Sequence, residues 1–167
     1  MGDELRGENL VHLNVRFSTE TELKKTQDFL YEKSGQGVSF TGLVEAMANE
    51  VTIVTAVHNI KSNKGSKTAG VDKIKMDKYL QMPKDELILL IQSCFRNYRP
   101  KPARREYIEK SNGKKRPLGI PTVLDRIIQE CVRIIIEPIC EARFIRNATA
   151  FAPIGHRNMQ SGVSSMS

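Results

Sequence analysis

The chain has 167 residues, 40% of them hydrophobic, and a net charge of +7. This size predicts one domain, or one lobe of a larger enzyme, with a real apolar core. No apolar run approaches the ~20 residues that a membrane-spanning helix needs, and residues 1–16 lack a signal-peptide pattern, so we expect a cytoplasmic chain with no membrane partner. The three cysteines have no Cys-x-x-Cys spacing, so we expect free thiols.

The first third of the chain predicts two helices. Thr19 and Glu22 form a capping-box pattern for a helix that ends near Gly35. Ser39 is a candidate cap for a second helix that Asn63 and Gly65 end. The apolar side of this second helix recurs at helical spacing, and its positions are Leu43, Met47, Val51, Val54 and His58.

The positive charge is confined to two short segments. Residues 61–78 carry six lysines and two aspartates, and residues 99–116 carry eight bases and two acids. Each segment lies between helical patterns rather than along one, which is typical of a polyphosphate partner. From charge alone, two solvated lysine-rich loops are an equal alternative.

Two further helices are predicted after the first cationic segment. Pro83 suits the first residue of one helix, and Arg99-Pro100 stops it. Thr122 is a plausible cap of the last helix, and Pro138 is expected to end or kink it. The polar side of the last helix pairs Arg126 with Glu130 and Arg133 with Glu137 at a spacing of four; its buried side comprises Val123, Ile127, Cys131, Ile134 and Ile135.

Between these helices, Ser111-Asn112-Gly113 is a turn signal joining two short extended segments. We expect Ile108 to lie opposite Leu118, with both side chains pointing inward, and therefore Lys110 opposite Arg116, with residues 111–115 in the loop. Both cations then share one face at the tip. A lysine point charge and a bidentate arginine at fixed spacing can grip a triphosphate; an exposed cationic tip with no ligand is the alternative.

The usual enzyme motifs do not occur in this sequence. The histidines and cysteines are scattered, so no metal-ligand spacing is present. Lys64-Gly65-Ser66-Lys67 lacks the spacing of a phosphate-binding P-loop, and there is no Gly-x-Ser-x-Gly nucleophile elbow. No Tyr-x-Asp-Asp or similar pair of aspartates is available for two-metal nucleotidyl transfer. We therefore predict no catalytic residue in this chain.

Residues 61–157 nevertheless resemble the start of group II intron reverse transcriptases. Two strings carry the resemblance: Lys64-Gly-Ser-Lys-Thr-Ala-Gly-Val-Asp72, and the longer and more specific Ile108-Glu-Lys-Ser-Asn-Gly-Lys-Lys-Arg-Pro-Leu-Gly-Ile-Pro-Thr-Val-Leu-Asp-Arg-Ile-Ile-Gln129. Ala69 stands where the family usually has proline and Lys73 where it usually has glycine, and we expect both to be tolerated. Residues 151–158 match the family only loosely, so His156 and Arg157 receive no role.

The resemblance implies site residues. Lys110 and Arg116 match the lysine and arginine that hold the triphosphate of the incoming nucleotide. The first string matches a loop that covers the template strand, which implicates Lys64, Gly65, Ser66, Lys67, Thr68 and Gly70 in nucleic-acid binding. Further phosphate contacts are expected, by charge and position, at Arg104, Arg105, Lys114 and Lys115. Arg126 is a further cation in the second string, and its pairing with Glu130 favours a structural role.

The resemblance also implies an architecture and partners. The expected fold is α+β, mostly helical with a short antiparallel β-hairpin, as in a reverse transcriptase fingers subdomain. We divide the chain into an N-terminal tail (1–17), a helical extension (18–60), the fingers (61–160) and a truncated start of the palm (161–167). The expected partners are intron RNA, an RNA template with a DNA primer, and a deoxynucleoside triphosphate, in a bacterial cytoplasm.

The activity expected of the parent protein is RNA-directed DNA polymerisation with Mg²⁺, whose ligands lie outside this chain. The fragment alone is expected to be inactive, because the palm aspartates are missing. The alternative is a non-enzymatic fragment that binds intron RNA. A severed lobe exposes apolar surface, so a homodimer is a further alternative.

Overall fold

The computed structural model describes residues 9–150, which form a helical body and a separate β-hairpin. The helices of this part of the chain are α1 (Glu20–Gly35), α2 (Leu43–Met47), α3 (Glu50–Ser62), α4 (Met76–Leu80), α5 (Lys84–Arg96) and α6 (Val123–Ala150). The strands are β1 (Leu10–His12), β2 (Ser39–Thr41), β3 (Arg104–Glu109) and β4 (Lys115–Ile120). The predicted α+β class is confirmed.

Helix α6 forms the centre of the core, and α1, α3, α2 and α5 pack against it. The predicted buried side of its first half is confirmed, because all of its members are buried: Val123, Ile127, Cys131, Ile134 and Ile135. Each fully buried isoleucine stabilises the fold by roughly 1.5–3 kcal/mol. Burial also raises the pKa of the Cys131 thiol to about 12 and thereby keeps it protonated.

Pro138 does not end helix α6, which continues to Ala150. Proline has no N–H, so the carbonyl four residues earlier, that of Ile134, has no partner within the helix. Helix α1 supplies that partner, because Gln27 Nε2 donates to Ile134 O at 2.8 Å. Ser34 Oγ of the same helix donates to Ile139 O at 3.0 Å. Gln27 of α1 therefore satisfies the carbonyl that Pro138 leaves free, and Ser34 adds a second bond between the two helices.

The single helix predicted after Ser39 is instead two helices. Ser39 lies in β2, so its predicted capping role is wrong. The chain turns at Gly42, whose φ is 78°, before α2 begins. Asn49 then starts α3, because its Oδ1 accepts from Val51 N at 2.8 Å. His58, predicted on the apolar side, is exposed.

Residues assigned to an N-terminal tail take part in the folded body. β1 pairs in parallel with β2, with Val11 opposite Phe40. Leu13 and Phe17 are buried in the core. The predicted cap of α1 is confirmed, because Glu22 N donates to Thr19 Oγ1 at 3.3 Å. The boundaries between the four predicted segments stay a prediction.

Helices α5 and α6 agree with their sequence signals to within a few residues, whereas the short helix α4 was not predicted. Helix α5 begins at Lys84, directly after Pro83, and ends at Arg96. Helix α6 begins directly after Thr122, as predicted. Between residues 9 and 150, no helix is both long enough and apolar enough to cross a membrane.

Candidate nucleic-acid interface

The first cationic segment contains a tight turn that we call the basic loop, residues 64–72. Its first residues form a 3₁₀ helix, Lys64–Lys67. Ser66 N donates to Asn63 O at 3.0 Å, and Thr68 N donates to Gly65 O at 3.1 Å. The side chains of Lys64 and Lys67 are exposed, so the loop presents two free cations to solvent.

Arg126 of helix α6 binds the basic loop, not Glu130. Its Nη1 donates to Gly65 O at 2.8 Å, and its Nη2 donates to Thr68 O. The predicted pairing with Glu130 is therefore wrong, although the structural role is supported. Partial burial lowers the pKa of Arg126 and Asp72 opposes that shift, and a guanidinium remains charged because its pKa starts above 12.

Glu130 is occupied by other partners. It accepts from Asn59 Nδ2 at 2.8 Å and from Arg133 through Nε at 2.8 Å and Nη2 at 2.7 Å. Arg133 also reaches Glu137 at 2.8 Å, so the predicted pair of Arg133 and Glu137 is confirmed. The bonds from Arg133, and then that from Asn59, hold the pKa of Glu130 below its usual value. With both oxygens occupied, Glu130 leaves Arg126 to the basic loop.

Gly70 attaches the end of the basic loop to the start of α6. A Cβ built on Gly70 would lie 2.7 Å from Thr122 Cα and 3.0 Å from Pro121 O. Backbone atoms cannot move aside as a flexible side chain can, so only glycine permits this approach. Asp72 closes the loop: its Oδ1 accepts from Ile74 N at 3.1 Å, and its Oδ2 lies 3.7 Å from Lys101 Nζ.

Lys73 follows the basic loop with a φ of 57°. This is the left-handed region, which glycine adopts freely and lysine does not. It is also the position, directly after the first string, at which group II intron reverse transcriptases usually have glycine. The tolerance that we expected for Lys73 therefore has a conformational cost.

The second cationic segment is an antiparallel β-hairpin that we call the hairpin arm, residues 104–120. No side chain of β3 is buried, and in β4 only Ile120 is. Tyr107 is 62% exposed and Ile108 is 48% exposed. The expectation that Ile108 points inward is therefore wrong, because the arm projects from the body instead of lying on it.

The turn of the hairpin arm has three residues, Ser111-Asn112-Gly113, so the expected five-residue loop of 111–115 is wrong. Gly113 N donates to Lys110 O at 2.9 Å, and Lys110 N donates to Lys114 O at 2.8 Å. Gly113 has a φ of 73°, the left-handed conformation that closes a three-residue hairpin through a bulge. Lys110 therefore faces Lys114 across the turn.

This turn sets a register two residues away from the predicted one. Ile108 lies opposite Arg116, and Glu106 lies opposite Leu118. The predicted pairs of Ile108 with Leu118 and of Lys110 with Arg116 are wrong. A shift of two residues preserves the faces, however, because side chains alternate along a strand. Lys110 and Arg116 still share a face, as diagonal neighbours.

The register adds a third cation to that face, because Lys114 lies between Lys110 and Arg116 on the same side. All three are exposed, and none forms an ion pair with any residue from 9 to 150. Like charges held this close repel one another unless an anion lies among them. This surface, which we call the tip face (Lys110, Lys114 and Arg116), therefore has the electrostatic character of a phosphate site.

The other predicted cations of the arm differ in their surroundings. Arg105 and Lys115 point to the opposite face, because they alternate with the tip residues. Arg104 lies 3.4 Å from Glu106 on its own strand, and both are exposed. The structure thus does not bring Arg104, Arg105 and Lys115 together with the tip cations.

A buried carboxylate joins the segments on either side of the hairpin arm. Thr122 Oγ1 donates to Asp125 Oδ2 at 2.6 Å, and Tyr98 Oη donates to Asp125 Oδ1 at 2.9 Å. Burial, followed by the bond to Asp125, raises the pKa of Tyr98 to about 12. Asp125 N in turn donates to Thr122 Oγ1 at 3.1 Å, which caps α6. Tyr98, which precedes the arm, is thereby joined to the first turn of α6, which follows it.

The basic loop contacts Thr122 and Arg126, in the segment that directly follows the hairpin arm. The tip of the arm lies farther from this segment, because Arg116 is four residues along β4 from Ile120, which is roughly 13 Å at the rise of a strand. Within the described residues, no group of three or more His, Cys, Asp or Glu side chains could hold a metal ion.

Sequence reasoning missed the contacts that attach the basic loop. Arg126 had an acidic residue at helical spacing, which indicated the wrong partner. The role of Gly70 at Thr122 depends on two segments more than fifty residues apart, and a single sequence carries no signal for such an approach. Lys114 on the tip face could have been found from Gly113, which marks a three-residue turn.

Comparison with known proteins finds no matching family model. Over 116 residues, 68% of this chain, the sequence is 40% identical to group II intron-encoded protein LtrA of Lactococcus lactis subsp. cremoris, and it covers 19% of that relative. Protein YkfC of Escherichia coli (strain K12) is 42% identical over 99 residues, 55% of this chain and 24% of YkfC. An uncharacterized 91 kDa protein in cob intron of Schizosaccharomyces pombe is 34% identical over 107 residues, 64% of this chain and 13% of that relative.

The chain thus spans about a fifth of the length of the first two of these curated relatives. The family resemblance that the two strings indicated is confirmed, because over the matched stretch the chain is similar to a group II intron-encoded protein.

Proposed function

We propose that this chain is the fingers region of a group II intron-encoded reverse transcriptase and maturase. In this role the basic loop covers an RNA template strand, and the tip face of the hairpin arm binds the triphosphate of the incoming deoxynucleotide through Lys110 and Arg116. The chain alone does not polymerise DNA, because the carboxylates for metal-assisted nucleotidyl transfer lie elsewhere in the protein. The Mg²⁺ of the complete enzyme would be held by those carboxylates.

The tip face carries this proposal. Among residues 9–150, three cations without anionic partners share one side of an arm that no other described element covers. A structural role for these side chains would require polar partners, and the described part of the chain offers them no side-chain hydrogen bond or ion pair. A triphosphate is dense in negative charge and matches a lysine and an arginine at fixed spacing.

RNA binding by the 167-residue chain tests the first half of the proposal. A fluorescently labelled, short single-stranded RNA should bind with an affinity that falls as salt rises. Each phosphate contact to a single strand contributes about 0.7 to the slope of log K against log salt. Lys64→Ala combined with Lys67→Ala should therefore reduce the slope by about 1.4.

The matched control removes two exposed lysines of α1, Lys24→Ala with Lys25→Ala. This variant has the same net charge as the loop variant, but its substitutions lie away from the basic loop. Equal slopes for the two double variants would mean that RNA binds charge in general and would contradict the assigned site. The same outcome would follow if the unsubstituted chain bound no RNA at low salt.

Nucleotide binding tests the second half. In nuclear magnetic resonance spectra of the labelled chain, millimolar deoxynucleoside triphosphate should shift the amide signals of Lys110, Lys114 and Arg116. The corresponding nucleoside, which lacks phosphates, should leave them in place. Lys110→Ala with Arg116→Ala should abolish the shifts, whereas Arg105→Ala with Lys115→Ala, on the opposite face, should preserve them. Shifts that persist in the first variant would remove this pair from the site.

Self-association is the second candidate, and an apolar groove favours it. The groove, of about 390 Å³, is lined mainly by Val44, Met47, Phe95, Tyr98, Ile128 and Val132. Val44 is 52% exposed and Val132 is 36% exposed. A second copy of this chain would cover the groove. Sedimentation should then show a dimer that Val44→Asp dissociates, and a monomer at high concentration would exclude this candidate.

A further inference from the structure

The contacts within the basic loop are too few to fix its conformation. From Lys61 to Ala69 no side chain is buried, so no apolar packing fixes these residues. The backbone bonds of Ser66 and Thr68 close single turns of a 3₁₀ helix, which is weak over four residues. The conformation of the loop must therefore depend on contacts that come from outside it.

Arg126 supplies the contact nearest to the two lysines. One guanidinium spans both turns of the loop, because Nη1 binds Gly65 O and Nη2 binds Thr68 O. Gly65 lies next to Lys64, and Thr68 lies next to Lys67. These bonds direct the negative ends of the two carbonyls toward the guanidinium of Arg126. The side chains of Lys64 and Lys67 beside them are exposed.

The partial burial of Arg126 favours its bonds to the two loop carbonyls. Its Nε is buried and has no hydrogen-bond partner in the described structure. Partial burial makes the charged form costly, and two charge-assisted bonds to carbonyls offset that cost. Both Nη atoms of Arg126 already donate to carbonyls of the loop, so we assign its role toward a nucleic acid to the loop that it holds.

We propose that Arg126 is a positioning residue, which holds the basic loop in the conformation that presents Lys64 and Lys67 to the phosphates of an RNA strand. This inference rests on the proposed function of the loop, and it assigns the binding surface to residues on two distant segments of the chain. A lysine at this position would not suffice, because an ammonium has no planar fork with which to span the two carbonyls.

A double-mutant cycle tests the proposal. The affinity of the 167-residue chain for a short single-stranded RNA is measured for four proteins: unsubstituted, Arg126→Gln, Lys64→Ala with Lys67→Ala, and all three substitutions together. In about 0.1 M salt each lost phosphate contact weakens binding about 5-fold. Arg126→Gln should therefore weaken binding on the order of 5- to 20-fold in the unsubstituted chain, and less than about 2-fold when both lysines are absent.

An equal loss in both backgrounds would overturn the proposal, because it would mean that Arg126 contacts RNA independently of the loop. Absence of any salt-dependent RNA binding by the unsubstituted chain would instead overturn the proposed function. Arg126→Lys separates charge from geometry: it should weaken binding nearly as much as Arg126→Gln. Full affinity in Arg126→Lys would also overturn the proposal.

Loop conformation can be read without RNA. Trypsin cleaves after lysine, so the bonds following Lys64 and Lys67 report whether the loop is held. Arg126→Gln should accelerate cleavage at both bonds several-fold, whereas Arg133→Gln should not. Arg133 is the matched control, since it lies two turns along the same helix and binds Glu130 and Glu137 instead. Unchanged cleavage in a folded Arg126→Gln protein would contradict the positioning role.

Discussion

The basic loop and the hairpin arm are both cationic, yet they are built in opposite ways. The loop has no buried side chain and is fixed from outside, by Arg126 and by the approach of Gly70 to Thr122. The arm is fixed from within, by strand pairing and by its own turn at Gly113. Substitutions at the loop should therefore affect the whole body, and those at the arm should remain local.

The largest expected effect is that of Gly70→Ala. The new methyl group would overlap backbone atoms at Thr122, and overpacking of this kind costs about 2–3 kcal/mol. Urea unfolding should show this loss as a lower midpoint with an unchanged slope. Gly65→Ala is the control, because a Cβ there meets nothing within 4 Å. Equal stability of the two variants would mean that the loop is not attached at Gly70.

Glu130→Gln sharpens the comparison by testing whether Arg126 and Arg133 of α6 have separate partners. Losing the charge on Glu130 weakens its bonds to Arg133 and Asn59 and should cost about 1–2 kcal/mol at neutral pH. Trypsin cleavage at the basic loop should not change. Faster loop cleavage would show that Glu130 and Arg126 are coupled after all.

The same variant has a defined pH dependence. Because the folded state lowers the pKa of Glu130 from 4.5, its contribution is fully present above that value and is lost as pH falls through the lower, folded value. The stability difference between the unsubstituted protein and Glu130→Gln should therefore shrink below about pH 4. A difference that grows on acidification would refute the assignment.

Gly113→Ala should have a smaller and strictly local effect. An alanine in the left-handed region costs about 1 kcal/mol, which should speed hydrogen exchange at the Lys110 amide about 5-fold. The midpoint of global unfolding should not move, because the arm does not pack on the body. Gly113→Asn, which tolerates this conformation better, is the control. A lower global midpoint for Gly113→Ala would break the distinction between loop and arm.

The smallest effect has the opposite sign. Lys73→Gly relieves a left-handed lysine but increases the freedom of the unfolded chain, so we expect a net gain of about 0.5 kcal/mol. Lys73→Ala removes the same charge without relieving the backbone and should give no gain. Thermal unfolding distinguishes the two variants. Equal stabilities would mean that the charge of Lys73, not its φ, determines the outcome.

The sequence predicted well those features that follow from a repeating or local pattern of residues. The buried side of α6 was predicted from periodicity, because five apolar residues at helical spacing specify one face. The caps at Thr19 and Thr122 were predicted because a cap is a local pattern. By contrast, β1 and β2 have three residues each, which is too short for a period to show.

The errors share a cause, which is the use of a local rule where a different contact decides. Ile108 was placed opposite Leu118 on the assumption that apolar residues pair, but an exposed arm has no buried face to enforce this, so Gly113 set the register. Arg126 was assigned to Glu130 by spacing, although Asn59 and Arg133 already bind that carboxylate. The two carbonyls that Arg126 binds lie about sixty residues away.

The bond from Gln27 to Ile134 shows how a missing hydrogen bond in one helix can fix the alignment of two helices. Apolar surfaces allow a pair of helices to slide past each other by one turn with little change in buried area. Pro138 leaves a single carbonyl of α6 without a partner, and only one sliding position places Gln27 against it. A proline that is unfavourable for its own helix thereby selects a single alignment of α1 along α6.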